Sequence, residues 1–95
     1  MGFEVRRDAT RRRYVATIEG REAHLDFREI DSRTIDLVHT KVPVELRGRG
    51  IAGALVHHAL EDARARGLHI VPTCPFVRGY LERHPEYGDL VAMRA

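Results

Sequence analysis

Three groups of residues carry chemistry in this 95-residue chain. The densest is Val44-Glu45-Leu46-Arg47-Gly48-Arg49-Gly50-Ile51-Ala52-Gly53, a glycine- and arginine-rich turn between a β-branched run and a long amphipathic stretch. Such a turn aims several unpaired backbone N–H groups, with the positive end of a helix dipole, at one point. Arg47 and Arg49 flank that point, which suits a phosphate-bearing anion. The second group is Cys74, directly before Pro75 and so at the start of a helix, where the dipole favours a thiolate. It could act as nucleophile, act as acid or base, or pack as a small hydrophobe. The third is His39, placed by strand alternation on the inward face of its strand with Ile35 and Leu37. There it could be a general base, orient one, or be a hydrogen-bonded structural residue.

Those groups need elements to hold them. Residues 2 to about 42 alternate as strands: Phe3 with Val5, then Tyr14, Ala16 and Ile18, then Leu25 and Phe27. Turn chemistry at Asp8-Ala9-Thr10, Glu19-Gly20-Arg21 and Asp31-Ser32-Arg33 divides them. Short connections make antiparallel neighbours, so a four-stranded meander is expected, with Thr34 to Val42 as a central fourth strand. Ile51 to Arg66 then reads as a helix with the stripe Ile51, Ala52, Leu55, Val56, Ala59, Leu60 and Ala63, stopped at Gly67. Leu68 to Val71 is a short buried strand. Pro75 opens a second helix, Phe76 to His84, which Pro85 ends. Leu90 to Met93 reads as a last strand. The fold class expected is mixed α+β, one domain over residues 1–95.

Composition excludes several functions. No run approaches the ~20 apolar residues of a membrane span, and no signal-peptide pattern opens the chain. One cysteine rules out an internal disulfide framework and agrees with a reducing, cytoplasmic setting. Six histidines show no i, i+4 pair, so no metal is expected. His24, His57, His58, His69 and His84 are set aside as solvent-facing or structural. Net charge is only +2, from 16 basic and 14 acidic residues. The cluster Arg6-Arg7 with Arg11-Arg12-Arg13 could touch nucleic acid, but it lacks the interleaved aromatics that stack on bases, so a solvated hairpin tip is favoured.

Gly48, Gly50 and Gly53 also satisfy G-x-G-x-x-G. A dinucleotide site would need a second parallel strand ending in a ribose-binding carboxylate, and the following strand ends Val71-Pro72-Thr73-Cys74. A Walker A turn would need Gly-Lys-Ser/Thr, which is absent.

Read as Arg47-x-x-Gly50-x-Ala52 between a strand and a long helix, the turn resembles the Q/R-x-x-G-x-G/A signature of the GCN5-related N-acetyltransferases. His39-Thr40-Lys41-Val42-Pro43 upstream and Cys74-Pro75-Phe76-Val77 with Tyr80-x-x-x-His84-Pro85-Glu86-Tyr87 downstream extend the likeness to a short, stand-alone branch. The resemblance implies a minimal version of that fold and acetyl-CoA as donor. Its pyrophosphate would be held by Leu46, Arg47, Gly48, Arg49, Gly50, Ile51, Ala52 and Gly53, and its pantetheine arm by the edge of strand four up to Val42, splayed from strand five. It further implies acetyl transfer to an amine, with Tyr80 protonating the leaving thiolate; by spacing alone Tyr80 is equally a core residue beside Leu81. Larger members wall the acceptor groove with N-terminal helices and carry a glutamate on strand four. Neither is evident here, so the groove is expected to be open, suited to an amine carried by a protein, or to a partner that completes it. A non-catalytic module that binds CoA or acyl-CoA is the alternative expectation.

Overall fold

The computed structural model describes residues 3–92, and the architecture is the mixed α+β one expected. Strands β1 (Val5–Asp8), β2 (Arg13–Ile18), β3 (Arg21–Asp31) and β4 (Thr34–Lys41) form an antiparallel meander. Strand β5 (His69–Pro72) adds to β4 in parallel, giving the order β1-β2-β3-β4-β5. The β2–β3 turn is a two-residue hairpin in which Glu19 and Gly20 have φ of 54° and 76°. Two positive φ values match the right-handed strand twist, as in type I′ turns.

Helix α1 (Ile51–Arg66) crosses β2 and β3 and buries Ile51, Leu55, Val56, Ala59, Leu60 and Ala63 against Tyr14, Ala16, Leu25 and Leu37. It ends where Gly67 enters the left-handed region and donates to Ala63 and Arg64, with Arg64 and Arg66 on the last turn. Helix α2 (Pro75–Arg83) starts at Pro75, which has no N–H to leave unpaired.

The chain end differs from the strand expected over Leu90 to Met93. Pro85–Leu90 forms a 3₁₀ helix whose Tyr87 and Leu90 reach the core; among the described residues only Val91 bridges β5, at Ile70. Burying two side chains from one short segment favours the compact helix over an extended edge. Met93 lies outside the described residues, as do Met1 and Gly2.

A second difference bears on chemistry. The β3–β4 ladder pairs Phe27 with Leu37 but Asp26 with His39, so Val38 is an extra residue in β4. A bulge of one residue exchanges the faces of everything beyond it. Thr40, opposite buried Leu25, therefore takes the inward position that strict alternation gives to His39, and His39 is exposed opposite Asp26.

Candidate functional site

Beyond Leu37 strands β4 and β5 part. The β4–β5 register ends at Leu37 with Pro72, which has no N–H to continue the ladder. The Thr73 N–H turns back to the Val71 carbonyl at 3.1 Å, and Arg78 caps the carbonyls of Pro72 and Thr73 at 3.1 and 2.7 Å. One last bond joins the strands, from Cys74 N–H to the Leu37 carbonyl at 2.9 Å. The splay leaves the β5-facing edge of β4, from Val38 to Lys41, without a strand partner among the described residues.

A cavity of about 530 Å³ fills the opening, within the range of small-molecule sites. His39, Thr40, Lys41 and Val42 form one wall, and Leu46, Arg47, Gly48, Gly50, Ile51, Ala52 and Gly53 form the other. Phe76, 38% exposed, stands at its edge. Gly48 and Gly50 have φ of 82° and 78°, a region that costs an ordinary side chain roughly 1 kcal/mol or more. Gly50 caps α1 with no side-chain hydrogen bond, and no acidic residue occupies the first turn. The N–H groups of Ile51, Ala52 and Gly53 therefore have no intrahelical acceptor and line the cavity with the helix dipole behind them.

The two arginines of the turn separate. Arg47 lines the cavity, donates from Nε to the Val42 carbonyl at 3.3 Å, and has no carboxylate partner among the described residues. Arg49 is outside the lining; its guanidinium holds Glu19 at 2.8 Å, which raises the Arg49 pKa and lowers that of Glu19. Lys41, which composition marks only as the single lysine, lines the cavity in its place.

Cys74 is 4% exposed, at the N-cap of α2. Thr40 Oγ1 is 3.4 Å from its Sγ, which links the thiol to a residue of the cavity wall. Burial pushes the thiol pKa up, but the Thr40 hydroxyl and the amides of Val77, Phe76 and Thr40 favour the thiolate more, and the net shift is downward. Thr40 was not singled out from sequence, because only the bulge at Val38 turns it inward. His39 contributes to the cavity from the outer side, since the cleft opens along a strand edge.

Tyr80 is 8% exposed and sits one side-chain layer behind the lining. A Cβ at Gly53 would meet its Cε2 at 4.0 Å, and its hydroxyl is 3.5 Å from His57 Nδ1. Its ring stacks on His84 with centroids 4.1 Å apart. His57, set aside as solvent-facing, is thus a neighbour of a candidate acid. Periodicity assigned its helix face but not what packs there. The structure brings His39, Thr40 and the turn to one cavity, with Cys74 joined through Thr40 and Tyr80 behind Gly53.

The arginine-rich hairpin is different in kind. Arg11 bridges Asp8 and Glu22 at 2.7 and 2.8 Å, and Arg13 lies 3.1 Å from Asp26. Arg12 approaches Glu29, and Arg7 approaches Glu29 and Asp62, at 3.8 to 3.9 Å. Among the described residues no group of His, Cys, Asp or Glu is arranged to hold a metal, and no helix is long and apolar enough to cross a membrane.

Comparison with known proteins bears on the family and the fold. The family described as GCN5-related N-acetyl-transferase matches residues 13–90. Protein NATD1 of Homo sapiens is 34% identical over 85 residues, covering 87% of this chain and 75% of the relative. Protein NATD1 of Danio rerio is 31% identical over 93 residues, covering 94% and 84%. A GCN5-like protein from Staphylococcus aureus, solved by solution NMR, superposes with a TM-score of 0.73 at 25% identity, over 99% of this chain and 92% of that one.

Proposed function

The chain belongs to the GCN5-related N-acetyltransferase family, and from that premise we propose that it is an acetyl-CoA-dependent enzyme that transfers the acetyl group directly to an amine. One observation carries the reading: the glycine turn, with its unpaired first-turn amides, and the unpaired edge of β4 line one continuous cavity. Amides of Gly48 to Gly53, with the Arg47 side chain, suit a pyrophosphate, and glycine permits the close approach. The Val38 to Val42 edge offers backbone donors and acceptors to an amide-bearing arm. Val42, Leu46 and Ile51 supply apolar wall.

The thioester then lies toward Cys74, Thr40 and His39. In the reaction the amine nitrogen bonds to the acetyl carbonyl carbon, the carbon–sulfur bond breaks, and the thiolate takes a proton. Tyr80 is the donor in this reading: burial, then the charges of Glu86 and Glu61, raise its pKa, so it is loaded at neutral pH. His39 is the base for the amine. Cys74 holds the thioester end of the cleft, by packing or as an alternative acid. The acceptor in this reading is an amine carried by a protein, which the exposed His39 and Phe76 at the cavity leave room to approach.

A non-catalytic CoA-binding module is the second reading, and one observation favours it: among the described residues no carboxylate lines the cavity to serve as a strong base. A nucleic-acid role for the hairpin is disfavoured, because Arg11 and Arg13 are already paired with carboxylates.

The test is CoA-thiol release from acetyl-CoA with a panel of amines and lysine-bearing peptides. The enzyme reading predicts amine-dependent release, lowered about 10- to 100-fold in kcat by Tyr80→Phe. Binding of acetyl-CoA with no release for any amine would select the module.

A further inference from the structure

Behind the cavity wall lies a second cluster of titratable groups. His57 Nδ1 is 3.5 Å from the Tyr80 hydroxyl and 3.2 Å from the Tyr87 hydroxyl, and Tyr87 donates to the Glu61 carboxylate. A phenol has one proton. With that of Tyr87 given to Glu61, only a lone pair of Tyr87 faces Nδ1, so the contact is a hydrogen bond only when Nδ1 carries the hydrogen. Glu61, acting through Tyr87, thereby favours the Nδ1–H tautomer of His57, with Nε2 bare. The same hydrogen is within reach of Tyr80. His57 is exposed to water, whereas Tyr80 is buried. His57 thus connects Tyr80 to solvent.

We propose that His57 is a positioning residue that restores the proton of Tyr80 in each turnover; the proposal rests on Tyr80 being the donor to the thiolate. Tyr80 O–H gives its proton to sulfur and becomes phenolate. The Nδ1 hydrogen of His57 moves to the phenolate oxygen while Nε2 takes a proton from water, so the ring stays neutral and changes tautomer. Exchange with water then returns the hydrogen to Nδ1, where Tyr87 accepts it. The balance closes because the proton released by the amine to solvent is the one replaced.

The surroundings suit a neutral relay. Burial and the Glu61 contact push Tyr87 up to about 12, so it remains a phenol. Glu61 and Glu86 act on Tyr80 with Arg83 opposing, and His84 stacks on its ring. Arg64 lies over the Tyr87 ring at 5.8 Å but is paired to Asp89 at 2.9 Å.

The test has one arm that needs no turnover. ¹⁵N imidazole NMR of the ligand-free protein should show His57 as the Nδ1–H tautomer, changing to Nε2–H in Tyr87→Phe. An Nε2–H parent would overturn the proposal. In the second arm His57→Ala should lower kcat at saturating acetyl-CoA by about tenfold or more. KM for acetyl-CoA should be unchanged, and added free imidazole should restore kcat. His57→Asn, which keeps a hydrogen-bonding group near Nδ1 but passes no proton, should be as slow as His57→Ala. Parent-level kcat in both variants, or loss that imidazole does not rescue, overturns the relay alone. A parent that releases no thiol with any amine overturns the acetyltransferase reading and the relay with it.

Discussion

Two regions of this molecule are rich in arginine, and they are built for opposite ends. In the β1–β2 hairpin the guanidinium groups face carboxylates, with Arg11 closing on both Asp8 and Glu22. In the turn before α1, Arg49 is spent in the same way on Glu19, but Arg47 has no carboxylate partner among the described residues. The amides beside Arg47 belong to a helix start with no acidic residue and no capping side chain. On the proposed reading, anion affinity should follow unsatisfied donors rather than arginine count. Coulomb energy already taken up by a neighbouring carboxylate is not available to a ligand.

The sharpest way to break the contrast is Gly50→Glu. It sets a carboxylate against the anion and forces a side chain into a φ of 78°, so acetyl-CoA affinity by isothermal titration should fall more than about 100-fold. Arg47→Ala should weaken binding about tenfold and flatten its salt dependence, while Arg11→Ala should leave the affinity unchanged. An equal loss from both would erase the distinction. At the inner end of the cleft, Thr40→Val should move the inflection of Cys74 alkylation to higher pH, and Thr40→Ser should keep it below that of a free thiol.

The smallest effect belongs to the hairpin. Arg11 lowers the pKa values of Asp8 and Glu22 from 3.8 and 4.5. Depressed carboxylates contribute stability above their unfolded pKa values, and it is lost as pH falls through the folded ones. Urea midpoints should therefore drop below about pH 4. Arg11→Ala should reduce that drop without altering ligand binding.

Much of this was legible in the sequence because it is local. The alternation of Tyr14, Ala16 and Ile18 fixed a strand, and Gly67 fixed the end of α1. Pro75 marked the start of α2 by what it lacks. The rest depends on contacts between distant residues. The bulge at Val38 is a property of register, so alternation alone assigns the inward place to His39 instead of Thr40. Arg49 meets a carboxylate thirty positions away. His57 shows its partners only once α2 and the last 3₁₀ helix pack on α1.

The most direct measurement is a ¹H–¹⁵N correlation NMR titration with acetyl-CoA. The amides of Gly48 to Gly53 and of Val38 to Val42 should shift together and saturate with one dissociation constant, while those of Arg6 to Arg13 stay in place. Shifts centred on the hairpin, or none at millimolar acetyl-CoA, would contradict the account.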